Sequence, residues 1–159
     1  MALRKTFTAK NRGFTLVEML IVIGMIAMLG SVMLFIDLNS YRGDSFRAER
    51  SQVVTLLGQA RIDALNNVSE EPHGLALYPA DAPGSYVLFA GTSYAASAVS
   101  TRQPYKSAYK INIGAGSPSE VVFEQLSGNS NFSGTITLQD PNRDFSYDIT
   151  LNHEGGISW

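Results

Sequence analysis

Met19 to Ile36 is a run of 18 residues without a charge, and it reads as apolar on every side of a helix. At about 1.5 Å per residue such a helix is about 27 Å long, close to the hydrocarbon thickness of a bilayer. No proline occurs between Met1 and Glu71, so the spacing predicts one long helix over residues 14 to about 67. Its second half has a different pattern. Val53, Val54, Leu57, Ala60, Ala64, Leu65 and Val68 mostly recur at i, i+3 and i+4, with Ile62 off the stripe. Arg47, Glu49, Arg50, Gln52, Gln59 and Asp63 are expected to face mostly outward. Asn39-Ser40 and Gly43-Asp44 are poor helix formers, so a bend or local melting is expected there, with Asp44 or Ser45 capping a restarted helix. Asn66-Asn67 ends the helix, with Pro72 beyond.

After the helix the pattern shortens to strands. Gly74–Tyr78 and Tyr86–Phe89 are apolar runs split by the turn-rich Pro79–Gly84 segment. Thr92 to Ser107 reads as loop. Ala108–Ile113, Glu120–Leu126, Gly134–Gln139, Phe145–Leu151 and Ile157–Trp159 are further strand candidates. Six or seven strands after one long helix predict an α+β fold, with the amphipathic half-helix packed on an antiparallel β-sheet domain. The expected division is 1–13 leader, 14–36 apolar helix, 37–67 amphipathic helix and 68–159 β-rich head.

Charge changes the picture at the start of the chain. Arg4, Lys5, Lys10 and Arg12 precede Phe14 with no acid among them, which leaves 8 of the 12 basic residues against all 14 acidic ones beyond. The positive-inside bias puts this N-terminus on the cytoplasmic side and the head outside. The acidic remainder argues against a general nucleic-acid coat. There are no cysteines, so disulfides and thiol catalysis are excluded.

Glu18 opens the apolar run, and an ionisable group in a spanning helix costs a few kcal/mol, less near its end. A cut between Gly13 and Phe14 would create a cationic α-amino group. Glu18 of one subunit would then meet the Phe14 amine of a neighbour in a bundle of parallel, staggered helices. Gly24, Gly30 and Ser31 are small positions that suit close helix approach, or are simply tolerated. Gly13-Phe14-Thr15-Leu16-Val17-Glu18 resembles the class III signal of type IV pilins and type II secretion pseudopilins. The resemblance implies cleavage after Gly13 by a prepilin peptidase, N-methylation of Phe14 and a role for Glu18 in assembly. It also implies an inner-membrane precursor, held in lipid before assembly, that joins other pilins or pseudopilins through an inner-membrane assembly platform. The head resembles the GspH/FimT minor pseudopilins. That likeness rests on Ala48-Glu49-Arg50 to Ala60-Arg61-Ile62-Asp63-Ala64, on Val121-Val122-Phe123 followed by Gly128 and Gly134–Leu138, and on Ile149-Thr150-Leu151 with Gly155-Gly156-Ile157.

Particular residues bear on other chemistries. Asp140, Asn142 and Asp144 alternate as at the start of a calcium loop, but the turn glycine is missing and a β-turn on Pro141 serves as well; no cofactor is expected. Arg102, Lys106 and Lys110, interleaved with Tyr105 and Tyr109, form the best basic-aromatic cluster for a DNA-uptake pilin. Three charges supply only a weak electrostatic attraction, and the C-terminus Gly155–Trp159 has no arginine, so DNA is not the expected partner. A permanently anchored binding module is the other alternative. No nucleophile elbow, phosphate loop or His-x3-His spacing is present, and an enzyme is not expected.

Overall fold

The computed structural model describes residues 14–34, 38–142 and 144–159, and in 32–34 and 38–43 the backbone alone. The chain divides into two compact units, Met1–Asn39 and Ser40–Trp159. In the first, α1 spans Leu16–Leu34. Among the described residues, no helix is long and apolar enough to cross a membrane. The side chains described in α1 stop at Ser31, and Leu16–Ser31 comes to about 24 Å, short of a full hydrocarbon core. Residues 35 and 36 of the expected apolar helix lie outside the described residues.

The next helix, α2 (Leu38–Leu65), lies in the second unit from Ser40 on and runs through the expected weak point with no break and no new cap at Asp44 or Ser45. Helix propensities there amount to about 0.5–1 kcal/mol per residue. Burial of the Phe46 side chain, held between Tyr109, Phe145 and Tyr147, outweighs them. The helix stops at Leu65, and Asn67 turns left-handed into a 3-10 turn over Val68–Glu70.

Eight strands follow among the described residues: β1 (His73–Leu77), β2 (Ser85–Ala90), β3 (Gln103–Lys106), β4 (Asn112–Ile113), β5 (Glu120–Phe123), β6 (Gly134–Gln139), β7 (Ser146–Leu151) and β8 (Ile157–Ser158). They form two antiparallel sheets, β3-β2-β1-β5 and β4-β6-β7-β8. The fold is α+β. The main core is the α2 stripe Phe46, Val53, Leu56, Leu57, Ala60 and Ala64 against inward residues of both sheets, among them Leu75, Tyr86, Phe123, Ile136 and Ile149. Sheet residues of β1, β2 and β5 that point the other way, Ala76, Val87, Phe89 and Val122, make a second core under Ala82 and Tyr94. The loop after β2 is therefore a cover, and β1 and β2 read as near-continuous apolar runs because both faces are buried.

Two expectations fail for identifiable reasons. Ala108–Ile113 is a strand only at Asn112–Ile113. The Ala108 and Tyr109 amides donate to the Glu49 carboxylate, and the Ser107 hydroxyl donates to the Tyr109 carbonyl, so side chains take the ladder's bonds. Conversely β3 falls in the expected loop. Its four residues are all exposed, so no alternation marks it, and Pro104 is accommodated because the strand is an edge.

Glu49 was expected to face outward and is 1% exposed. It lies three residues after Phe46 and four before Val53, on the core stripe itself. Its Oε2 accepts the two amides at 3.3 Å each, and its Oε1 has no hydrogen-bond partner. Arg50 is half-buried over the Tyr147 ring. Ile62 is exposed, as its place off the stripe requires.

Candidate assembly site

The first described residue is Phe14, which is 79% exposed. Gly13, the residue expected on the other side of the cut, lies outside the described residues. Thr15 immediately precedes α1, and its Oγ1 accepts the Glu18 backbone N–H at 3.2 Å. That is the N-cap half of a capping box, in which a Ser/Thr cap satisfies the amide three residues on. The Thr15-x-x-Glu18 spacing is visible in the sequence, although charge alone does not mark it.

Glu18 therefore has two local reasons to sit where it does. Its amide closes the cap, and its carboxylate lies in the first turn, where the helix dipole favours a negative charge. The carboxylate is exposed and has no hydrogen-bond partner among the described residues. Beyond it, every side chain from Met19 to Ser31 is exposed in the single chain, on all sides of the helix. A Cβ added at Gly24 or Gly30 would meet nothing within 4 Å, so nothing inside the chain demands glycine at either place.

Residues 8–34 match the family model described as the prokaryotic N-terminal methylation motif. The chain carries a type IV pilin-like prepilin signal. The match covers Gly13, Phe14, Glu18 and α1. No characterised protein and no solved structure matches the chain.

The other candidates sit in the pilin-like head. Arg102 is held inside it. Its side chain is 16% exposed and pairs with Asp81 at 3.1 Å. It also donates to the Ser97 hydroxyl and to the Tyr94 and Ser97 carbonyls, while its guanidinium lies 4.1 Å from the Tyr94 ring centroid. Burial and the bond to Asp81 raise the Tyr94 phenol above its ordinary value. The result is a clasp closing the loop over the second core. Lys106 and Lys110 are exposed and take no part in that clasp.

Asp140 is buried, and its Oδ1 accepts the Tyr109 hydroxyl at 3.0 Å and the Asn142 amide at 2.9 Å. Its own amide donates to the Phe145 carbonyl, closing the β6–β7 hairpin, while Asn142 and Asp144 are exposed. Among the described residues no group of three or more acidic, histidine or cysteine side chains is placed to hold a metal.

One contact escaped the sequence reading. Arg61, half-buried on α2, donates from Nη2 to the Glu154 carbonyl at 2.9 Å. Its stem lies against Gly128 and Gly155. The helix is thereby tied to the turn that launches β8.

Proposed function

We propose that the chain is a structural subunit, of the minor pilin or pseudopilin class, of a type IV pilus or type II secretion pseudopilus. The observation that carries this is the methylation motif continuing without interruption into a capped helix whose apolar side chains are exposed on all sides. Apolar surface on this scale, at roughly 25 cal/mol per Å², needs a cover. Lipid supplies it first, in the inner membrane with the N-terminus cytoplasmic. Neighbouring helices supply it after a prepilin peptidase has cut between Gly13 and Phe14 and methylated Phe14.

In that account Thr15 and Glu18 act as a unit. The cap fixes the first turn, and so the direction in which the Glu18 carboxylate leaves the helix toward the new amine of an adjacent subunit. The open space at Gly24 and Gly30 suits close approach of a second helix. The GspH/FimT likeness gains support from Arg61, since the Ala60-Arg61 segment and Gly155, far apart in sequence, meet through its side chain. A DNA-uptake role loses support, because Arg102 is engaged internally and leaves two lysines of the three cations.

The test is Glu18→Ala in cells with the assembly machinery. Membrane insertion persists and incorporation into filaments falls by an order of magnitude or more, about the loss of one desolvated ion pair. Normal incorporation would remove the assigned role of the carboxylate.

A further inference from the structure

A cleft of about 590 Å³ opens on the face of the first sheet that carries the second core. That is a volume typical of ligand sites. Three parts of the chain form it: the turn after β1, the cover loop at Tyr94 and Arg102, and the start of β5 at Glu120. Tyr78 makes the turn with a left-handed backbone, φ +51°, which a bulky residue adopts only at a cost. Its ring is anchored on the main-core side, stacked on Tyr86 and donating to the Ser107 hydroxyl. The strained backbone is thereby held, and it carries Pro79 and Ala80 to the wall of the cleft.

The charges in the cleft are unequally served. Asp81 has the Arg102 guanidinium at 3.1 Å and the Tyr94 hydroxyl. Arg102 spends its other donors on the Ser97 hydroxyl and the Tyr94 and Ser97 carbonyls. Glu120 is half-buried, and its Oε2 accepts the Tyr94 amide at 2.7 Å. Among the described residues, its Oε1 accepts no hydrogen bond and no basic group lies within 4 Å of it. Asp81 and Arg102 cancel, so the cleft keeps one negative charge, at Glu120. A cation brought to such a carboxylate stabilises it. Ala76, Leu77, Pro79 and Ala95 supply the apolar wall on which the stem of a lysine or arginine packs.

The backbone beside Glu120 is open as well. β5 is an edge of its sheet. Val122 turns its N–H and C=O away from β1, and Asn131 takes both, through its Oδ1 and its own amide. Glu120, two residues back, presents the same outward side. The pair that this register would place next, Glu120 with Ser133, is not formed. An extended segment laid there pairs with the Glu120 backbone and turns alternate side chains to the face of the cleft. We infer that the cleft takes a lysine or arginine side chain carried on an extended segment of a partner protein. The cationic head sits on Glu120 Oε1 and the segment's backbone lies along the start of β5. This contact is read on the head alone and does not depend on the filament reading.

The probes are two blocked pentapeptides, acetyl-Ser-Val-Arg-Val-Ser-amide and its glutamine counterpart. Each is titrated by calorimetry into the full-length protein in uncharged detergent at neutral pH and low salt. The arginine peptide binds, and the glutamine peptide binds at least about tenfold more weakly, the loss of one charge-assisted bond. Glu120→Gln keeps an oxygen for the Tyr94 amide and weakens the arginine peptide by a similar factor. Glu124→Gln, at an exposed acid just beyond β5, leaves it unchanged. Equal affinity for the two peptides, no binding of either at millimolar concentration, or equal losses in the two variants would overturn the inference. Butylguanidinium has the same head and stem without a peptide backbone, and it binds at least about tenfold more weakly than the arginine peptide. Equal binding would show a site for small free cations and overturn the assignment of a protein partner.

Discussion

Gly155→Ala should destabilise the head far more than the same change at Gly84, although the two glycines have nearly the same φ. Their φ angles are +75° and +70°, both left-handed. Alanine in that region costs about 1–2 kcal/mol at either place. The surroundings differ. A Cβ at Gly84 meets nothing within 4 Å, whereas at Gly155 it would lie 2.1 Å from the Gly128 carbonyl oxygen and 2.8 Å from Arg61 Nε. The first contact is with backbone and cannot be relieved by a rotamer change. The turn must open, and the bond from Arg61 to the Glu154 carbonyl is lost, about 1.5–3 kcal/mol for a charge-assisted bond. Gly84→Ala should therefore cost about 1 kcal/mol, and Gly155→Ala about 3–4 kcal/mol. The assay is urea unfolding of each full-length variant in detergent, followed by far-ultraviolet circular dichroism. Trp159 is the single tryptophan and sits four residues beyond the site, so its fluorescence reports the C-terminal strand separately. Two variants within 0.5 kcal/mol of each other, a difference too small for the contact described, would refute the claim that Arg61 and Gly128 close on this turn.

Three other outcomes follow from the packing. Leu57→Ala, in the centre of the α2 stripe, should cost about 2–5 kcal/mol in the same unfolding assay. Arg102→Ala should leave the main core intact but open the cover over the second core, seen as faster proteolysis within residues 92–101; unchanged digestion would show that the clasp does not hold the loop. Burial, then the bond to Tyr78, pushes the Tyr86 phenol well above its ordinary value near 10. The folded state thus keeps a proton that the unfolded chain gives up, so stability present below pH 10 falls as pH rises past it. Tyr86→Phe should flatten that fall, and an unchanged alkaline slope would contradict the assignment.

Much of this was legible from pattern alone. Val53, Leu57, Ala60 and Ala64 fall on the buried stripe, and β6 and β7 keep the alternation that marks a sheet with one face in the core. What stayed hidden was polar. Glu49 carries the spacing of a core residue but the chemistry of a surface one, and the amides at Ala108 and Tyr109 account for its burial. The same bonds turned an alternating run at Ala108–Ile113 into an irregular segment. β3 was hidden for the opposite reason, since an exposed edge strand pairs by backbone and needs no apolar signal. At the candidate site, Phe14 and Glu18 stood out by charge and position. Thr15 did not, because a threonine beside an apolar run is ordinary until its hydroxyl is seen to accept the Glu18 amide. Arg61 is a long-range case, with partners more than ninety residues away.

The central claim is that the apolar helix is released for assembly by processing at its start. Mass spectrometry of the chain recovered from cells with an active prepilin peptidase tests it most directly. The account predicts a mature chain that begins at Phe14 and carries one methyl group on its α-amino nitrogen. A chain that retains Met1–Gly13, or one cut at any other bond, would contradict it.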